Sequence, residues 1–515
     1  MDHTLLWVYS LSIGVILSLF ITAIVIYRLF LSPLSKFPGP RLAAATRLYE
    51  AYFQLVKGGR FTWHINELHE QYGPIVRITP WEIHIKDPNF YNTLYAGPGN
   101  KRDKDPWFSN ITWPQSLFST EAHSLHASRR KVLAQFFKKG AVSAVEPLIK
   151  DNLRLLSSHF STAAGTLGVL ELHASFMCFA ADTLSQYAFG RDCGLHYLNE
   201  PYLTPEWKTW INNCFLNINL NRHIPQAGHI GHSIPRIPGW VCPSFGSVLD
   251  MERDVRGRVR HAISESVQTL DRKPPLPEAW APIYPTILAS TDVPDNEKER
   301  TRLEDDAIFL LIAGTDAPTQ VIAITMFHIL NNSEVHRRLR TELRSALPDV
   351  SIDPDLTTLE QLPYLTAVIK EGLRISSVVT TRLPRSAPYE TLHFQGWDIP
   401  PGTLVSMSTY FILRDPTIFP DPDCFLPERW LLAGEELREL ERYLVPASKG
   451  TLGCLGQNMA WAWLYLVLGT LLRRFDLTLH ETTEKNVEMT RDRFIGQTDP
   501  GMNNVQVKVL GEFRE

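Results

Sequence analysis

The chain has 515 residues and a net formal charge of −4. That length is enough to bury a large core, and the near-balanced charge leaves no footprint for bulk nucleic-acid binding. Six scattered cysteines (Cys178, Cys193, Cys214, Cys242, Cys424 and Cys454) form no CxxC pair, which argues against a disulfide framework or a structural zinc site.

Residues 5 to 26, "LLWVYSLSIGVILSLFITAIVI", carry no charge over 22 positions. At about 1.5 Å per residue such a helix spans the roughly 30 Å of a bilayer core. The apolar stretch is longer than that of a secretory signal peptide and lacks its basic start. Arg28, Lys36 and Arg41 follow, so the positive-inside rule predicts a single-pass anchor over 1–27 with the remainder in the cytosol. Residues 28–45, with Pro33, Pro38 and Pro40, read as a stiff hinge, because each proline fixes φ and removes a donor. From 46 to 515 no linker or repeat interrupts the chain, and one mainly helical domain is expected.

Within that domain "TWHINELHEQYG" predicts an amphipathic helix ending at Gly73, and "PIVRITPWEIHIK" alternates like a short hairpin. "SLHASRRKVLAQFFKKG" predicts a basic amphipathic helix stopped by Gly140. The longest helix is expected from Thr301. Glu304 follows it with capping-box spacing, and acidic residues 304 to 306 suit the positive end of the dipole. Its middle is apolar nearly all round, so it should run through the core. "PYLTAVIKEGLRIS" predicts a further helix, "TLHFQGWDIPPGTLVSMSTYFILRD" strands around a Pro-Pro-Gly turn, and "QNMAWAWLYLVLGTLLRRFDL" a final buried helix.

Glu371 and Arg374 lie three apart on one helix face, where they can pair. Alone, such a pair is most often a solvated surface contact. Downstream, however, Pro427-Glu428-Arg429-Trp430 supplies a second arginine in an irregular stretch, and "GTLGCLG" (450 to 456) follows. With "KFPGP" and the "AGTD" of the long helix (313 to 316), these motifs resemble, in order and over nearly the whole chain, the cytochrome P-450 superfamily of heme-thiolate monooxygenases. The wording of "YGPIVRITPWEIHIKDP", "TTRLPRSAP" and "LVPASKG" is similar to fungal microsomal members of secondary metabolism, the trichodiene-oxygenase-like group.

The resemblance implies a mainly α fold with small β-sheets, preceded by one transmembrane helix. It implies a heme (iron protoporphyrin) with Cys454 as axial thiolate. Gly450 and Gly456 would let backbone approach the porphyrin. Backbone N–H groups of Gly453, Leu455 and Gly456 and the helix starting near Gln457 would stabilise the sulfur. His126 and Arg130, one turn apart, and Arg385, with Arg382 behind it, would meet the propionates. Glu371, Arg374 and Arg429 would form a buried network. Asp316, with Thr315 and Thr319, would serve proton delivery.

Three positions depart from the family pattern. Ala447 stands where a Phe is usual, Leu452 where an Arg is usual, and Ala317 where the oxygen-side Thr is usual. Lys449 is a substitute for the lost charge, and Pro318 should kink the long helix. The expected activity is hydroxylation or epoxidation of a lipophilic secondary-metabolite intermediate of terpenoid or polyketide type. O2 and an NADPH-cytochrome reductase would take part at the endoplasmic reticulum membrane, without nucleic acid. A rearrangement or dehydration without the usual oxygen activation, and a non-catalytic scaffold of the same fold, remain open. The substrate wall is expected from 106–114, 213–220, 309–313, 376–381 and 496–502, and a basic patch for the reductase from Arg129, Lys131, Lys138, Lys139, Arg442 and Lys449.

Overall fold

The structure, a computed structural model, describes residues 3–109, 113–226, 243–269 and 280–513. The chain divides into two compact units, Met1–Asp105 with Arg382–Ser408 and Pro106–Thr381 with Thr409–Glu515. Cys242 and positions 110–112 of the expected substrate wall lie outside the described residues.

The first unit opens with α1 (His3–Ile26), which continues through one π-turn, Tyr27–Leu31. The apolar span Tyr9–Leu31 has a mean hydropathy of 2.3 and none of it is buried, consistent with a membrane anchor. The segment expected as a hinge is docked, not free. Arg77 N donates to Pro38 O (2.7 Å), Lys36 Nζ donates to Asp398 O (2.9 Å), and the Phe37 and Trp397 rings lie 5.1 Å apart. Gly39 is required there, because a Cβ would sit 2.4 Å from the Arg77 carbonyl oxygen. Helix α2 (Phe61–Tyr72) ends at Gly73 as expected.

The expected hairpin forms, with Ile75↔Ile85 opposite in antiparallel register. Its residues do not alternate in burial; all are buried. Glu82–Ile85 is an interior strand, paired on its other side in parallel with Leu404–Ser406, while Ile75–Arg77 is the sheet edge and is buried as well. The Pro-Pro-Gly turn lies between Trp397–Ile399 and Leu404–Ser406, but these strands do not pair with each other. The first pairs with Leu392–Phe394, and the second joins the five-stranded sheet.

The second unit is mainly helical. Its functional helices are α3 (His123–Ala134), α4 (Leu172–Phe189), α5 (Glu206–His223), α6 (Arg300–Asn331), α7 (Pro363–Ser376) and α8 (Gln457–Arg474). Gly140 does not stop α3. Lys138 is extended (ψ 153°) and ends that segment, while Gly140 lies inside the next helix, Lys139–Thr166. Thr301 does not cap α6 either; the N-cap is Glu299, without a side-chain cap. The acidic run is used for cross-links instead. Glu304 accepts from Arg256 (2.8 Å) and Arg260 (3.0 Å), Asp305 from Gln115 N (3.0 Å), and Asp306 from Leu117 N (2.8 Å).

Helix α6 is the axis of the core and stays helical through Pro318. Its close neighbours meet it at glycines. A Cβ on Gly314 would lie 2.4 Å from Leu184 of α4, and one on Gly372 of α7 would lie 2.1 Å from Thr325 Oγ1.

Candidate active site

Cys454 follows a 3-10 turn, Gly450–Leu452, in which Gly450 takes φ 73°. Its N–H donates to Ala447 O at 2.8 Å, and Gly453 N closes the turn on Gly450 O at 3.1 Å. The tight loop therefore delivers the sulfur just ahead of the N-terminus of α8, where the dipole favours negative charge. Cys454 is exposed by surface area, yet protein surrounds it so densely that burial dominates its electrostatics. Together these describe a side chain on the wall of an internal space. Burial pushes the thiol up, opposed by the Gly456 N–H and by the Arg130 guanidinium. A Cβ on Gly456 would meet nothing within 4 Å, so the space beside the loop is open.

His126 and Arg130 share one side of α3. His126 is buried, and Arg130 Nη1 donates to Gly453 O at 2.7 Å, which ties the helix to the cysteine loop. In the other unit Arg385 is buried, Nη1 donates to Pro384 O (2.8 Å), and Nε has no hydrogen-bond partner. A buried guanidinium with an unused N–H is suited to an anionic ligand group. Arg382 is not: Glu82 (2.6 and 2.9 Å) and Glu50 (2.7 Å) already hold it. Lys449 is committed to the Arg442 carbonyl. Of the expected basic patch, Arg129 is largely covered and bonds Thr120 (2.8 Å), whereas Lys139 stays exposed in a pair with Glu360 (2.7 Å).

Glu371 and Arg374 are fully buried and share two hydrogen bonds, 2.8 and 2.9 Å. Arg429 Nε joins Glu371 at 3.0 Å. Sequence patterning does not reveal the rest of this network: Trp430 Nε1 donates to Glu371 (2.8 Å), and Arg374 donates to the carbonyls of Leu413, Pro422 and Cys424.

Along α6, Phe309, Leu310, Ala313, Gly314, Ala317 and Gln320 keep accessible surface, whereas Ile308, Leu311, Ile312, Thr315, Asp316 and Thr319 are buried. One face of a core helix is thus open, and Ala317 lies on it. Thr315 Oγ1 is engaged twice, donating to Leu311 O (2.7 Å) and accepting from Trp207 Nε1 (2.8 Å). Asp316 accepts from Gln320 at 2.8 Å through Oδ2, while Oδ1 has no hydrogen-bond partner. Burial pushes its carboxyl up to about 7. Thr319 Oγ1, fully buried, is also without a partner.

The chain matches the cytochrome P450 (P-450) family over residues 40–504. The chain belongs to the cytochrome P-450 family. It is 37% identical to a conidiogenone synthase of Penicillium rubens, over 93% of this chain and 94% of that one. It is 37% identical to a cytochrome P-450 monooxygenase of Ascocoryne sarcoides, over 98% and 99%. It is 38% identical to a tryptophan 6-hydroxylase of Fusarium equiseti, over 93% and 94%. Cytochrome P-450 proteins are heme-thiolate enzymes with an axial cysteine, and this chain is a cytochrome P-450 monooxygenase.

The residues present in this unit fit that cofactor: a cysteine on an internal space and open room beside Gly456. The expected substrate wall is gathered around an aromatic group that sequence reading missed. Phe118 stacks on Phe309 (4.5 Å) and meets Phe494 edge-on (5.4 Å), and Phe494 lies 6.1 Å from Phe108. Asp492 draws in two further segments, accepting from Asn219 (3.1 Å) and Thr380 (3.2 Å). Of the expected tail turn, Gly496 N bonds Val378 O at 2.7 Å, whereas 499–502 are exposed. Phe118 and Phe494 carry no local pattern, so only tertiary contacts single them out.

Proposed function

We propose that this cytochrome P-450 hydroxylates or epoxidises a lipophilic secondary-metabolite intermediate, with Cys454 as the axial ligand. The observation that carries the reading is the Cys454 loop, which presents its sulfur to an internal space under the Gly456 N–H and beside Arg130. Thiolate-held heme supplies oxygen-activating chemistry, because thiolate donation favours O–O cleavage. Arg130 and His126 would hold a propionate, and Gly450 and Gly456 would keep the loop close. Asp316 holds the proton to be delivered, Thr319 offers a hydroxyl one turn on, and we assign Thr315 to positioning, as the clamp between α6 and α5.

The aromatic group around Phe118 suits a terpenoid or polyketide scaffold. Two relatives of near-equal identity are named for unlike compounds, conidiogenone and tryptophan, so overall identity does not transfer a substrate. Electrons come from an NADPH-cytochrome reductase. Residues 1–27 anchor the chain in the endoplasmic reticulum membrane, 28–45 connect, and 46–515 work in the cytosol. Ala317, on the open face of α6, favours a second reading, rearrangement or dehydration; turnover without NADPH and O2 selects it.

The test is the reduced, carbon-monoxide-bound absorption spectrum in membranes, beside Cys454→Ala. A red-shifted Soret band that the variant loses supports the reading. Heme without that band sinks it.

A further inference from the structure

Helix α4 begins at an acidic N-cap. Glu171 accepts from His173 N (2.9 Å), Ala174 N (2.7 Å) and Val505 N (3.2 Å), and also pairs with Lys208 Nζ of α5. The cap fixes His173 on the first turn. From there its Nε2 lies 3.8 Å from Asp316 Oδ1. Neither ring nitrogen of His173 has a hydrogen-bond partner, and neither has Asp316 Oδ1. Two buried polar groups thus confront each other with unused donors and acceptors, an arrangement that calls for an explanation. Side-chain exposure falls steadily along the line: 21% at Glu171, 19% at Lys208, 9% at His173 and 1% at Asp316.

We propose that His173 is a positioning residue that passes protons to Asp316 from the side of the part-buried Glu171–Lys208 pair. The proposal rests on the assignment of Asp316 as the proton-holding group. The step balances: Nε2–H passes its proton to Asp316 Oδ1 as Nδ1 takes one from the solvent side, and the imidazole leaves the step neutral in its other tautomer. A slight side-chain rotation or one water closes the 3.8 Å gap. The electrostatics agree. Burial holds His173 down to about 3, helped by Lys208 and opposed by Glu171, and burial holds Asp316 up to about 7, so the proton rests on the carboxyl and the ring only passes it. The groups facing Asp316 are His173 of α4, Lys208 and Cys214 of α5, and Gln320 of its own helix. Thr315, hydrogen-bonded to Trp207 of α5, keeps that helix registered against α6.

The experiment needs no substrate. Purified, heme-loaded, full-length protein is moved into deuterated buffer at about pH 6, where a raised carboxyl is protonated. The C=O stretch of protonated Asp316 is followed by infrared spectroscopy and assigned by its absence in Asp316→Asn. Exchange is expected to slow by about tenfold or more in His173→Phe, and equally in His173→Gln, whose amide hydrogen-bonds but has no second tautomer to relay through. Exchange as fast as wild type in His173→Phe overturns the proposal, and so does full recovery in His173→Gln. Each variant is used once its carbon monoxide spectrum matches wild type. The underlying role of Asp316 fails separately: wild type at about pH 6 would then show no protonated C=O stretch that Asp316→Asn removes.

Discussion

Glu371 and Asp316 are carboxylates with almost no contact with water, on two packed helices, α7 and α6, of one unit. Glu371 accepts from both sides of Arg374, from Arg429, from Trp430 and from Leu426 N. Burial alone would raise it, but Arg374 and Arg429 hold it below the usual range. Asp316 accepts from Gln320 alone and faces a histidine, and burial wins. The difference teaches that burial does not decide the fate of an acid; the number of charged donors does. The first group is a strut. The second is free to hold and release a proton.

The same substitution, acid to amide, should therefore act in opposite directions. Glu371→Gln leaves Arg374 and Arg429 buried without a counter-charge and should cost about 3–5 kcal/mol. Urea unfolding at neutral pH, followed together with heme content, measures it. The folded pKa of Glu371 is depressed, so its contribution is complete above the ordinary glutamate range and is lost as pH falls through the folded value. A destabilisation under 1 kcal/mol would remove the distinction between the two acids.

Asp316 has the other sign. The folded value near 7 exceeds the unfolded value, so between the two the native state holds a proton that the unfolded chain has released. Stability should fall as pH rises through that window, by on the order of 4 kcal/mol. Asp316→Asn should abolish the slope and leave the protein more stable than wild type at about pH 8, while the rate of product formation drops by about 10²–10⁴-fold. Thermal unfolding between acid and mildly alkaline pH reads the first effect and product assays the second. A slope that persists in the variant belongs to other groups.

The pairing of Glu371 with Arg374 could be read from local spacing, but its burial with Arg429, like the role of the Cys454 loop, came only from the resemblance to cytochrome P-450. The apolar α1 and the start of α8 were legible in the sequence itself. What escaped depends on distant partners. The strand Glu82–Ile85 looks two-sided until Leu404–Ser406 pairs with it. Thr301 and Glu304 have a cap's spacing, but Arg256 and Arg260 claim the glutamate. His173 reads as an ordinary helix residue, and only the packing of α4 on α6 sets it against Asp316. Phe118 and Phe494 have the same history. Arg385 and Arg382 look interchangeable in the sequence, and Glu50 and Glu82 separate them.

Thr319 is the smallest and sharpest probe of the comparison. Its hydroxyl is fully buried on α6, one turn from Asp316, and has no hydrogen-bond partner. A buried, unsatisfied hydroxyl contributes nothing to stability, and an isosteric methyl removes its desolvation cost. Thr319→Val should therefore leave the protein as stable as wild type or more so, by up to about 1 kcal/mol. If the oxygen is retained for proton handling, the same variant should release more hydrogen peroxide and less product per NADPH, with the carbon monoxide spectrum unchanged. Thr315→Val is the internal contrast. Its hydroxyl serves Leu311 and Trp207, so removing it leaves the buried Trp207 N–H unpaired and should destabilise by about 1–3 kcal/mol. A fully coupled Thr319→Val enzyme would return the hydroxyl to the core and leave Asp316 alone on its face of the helix.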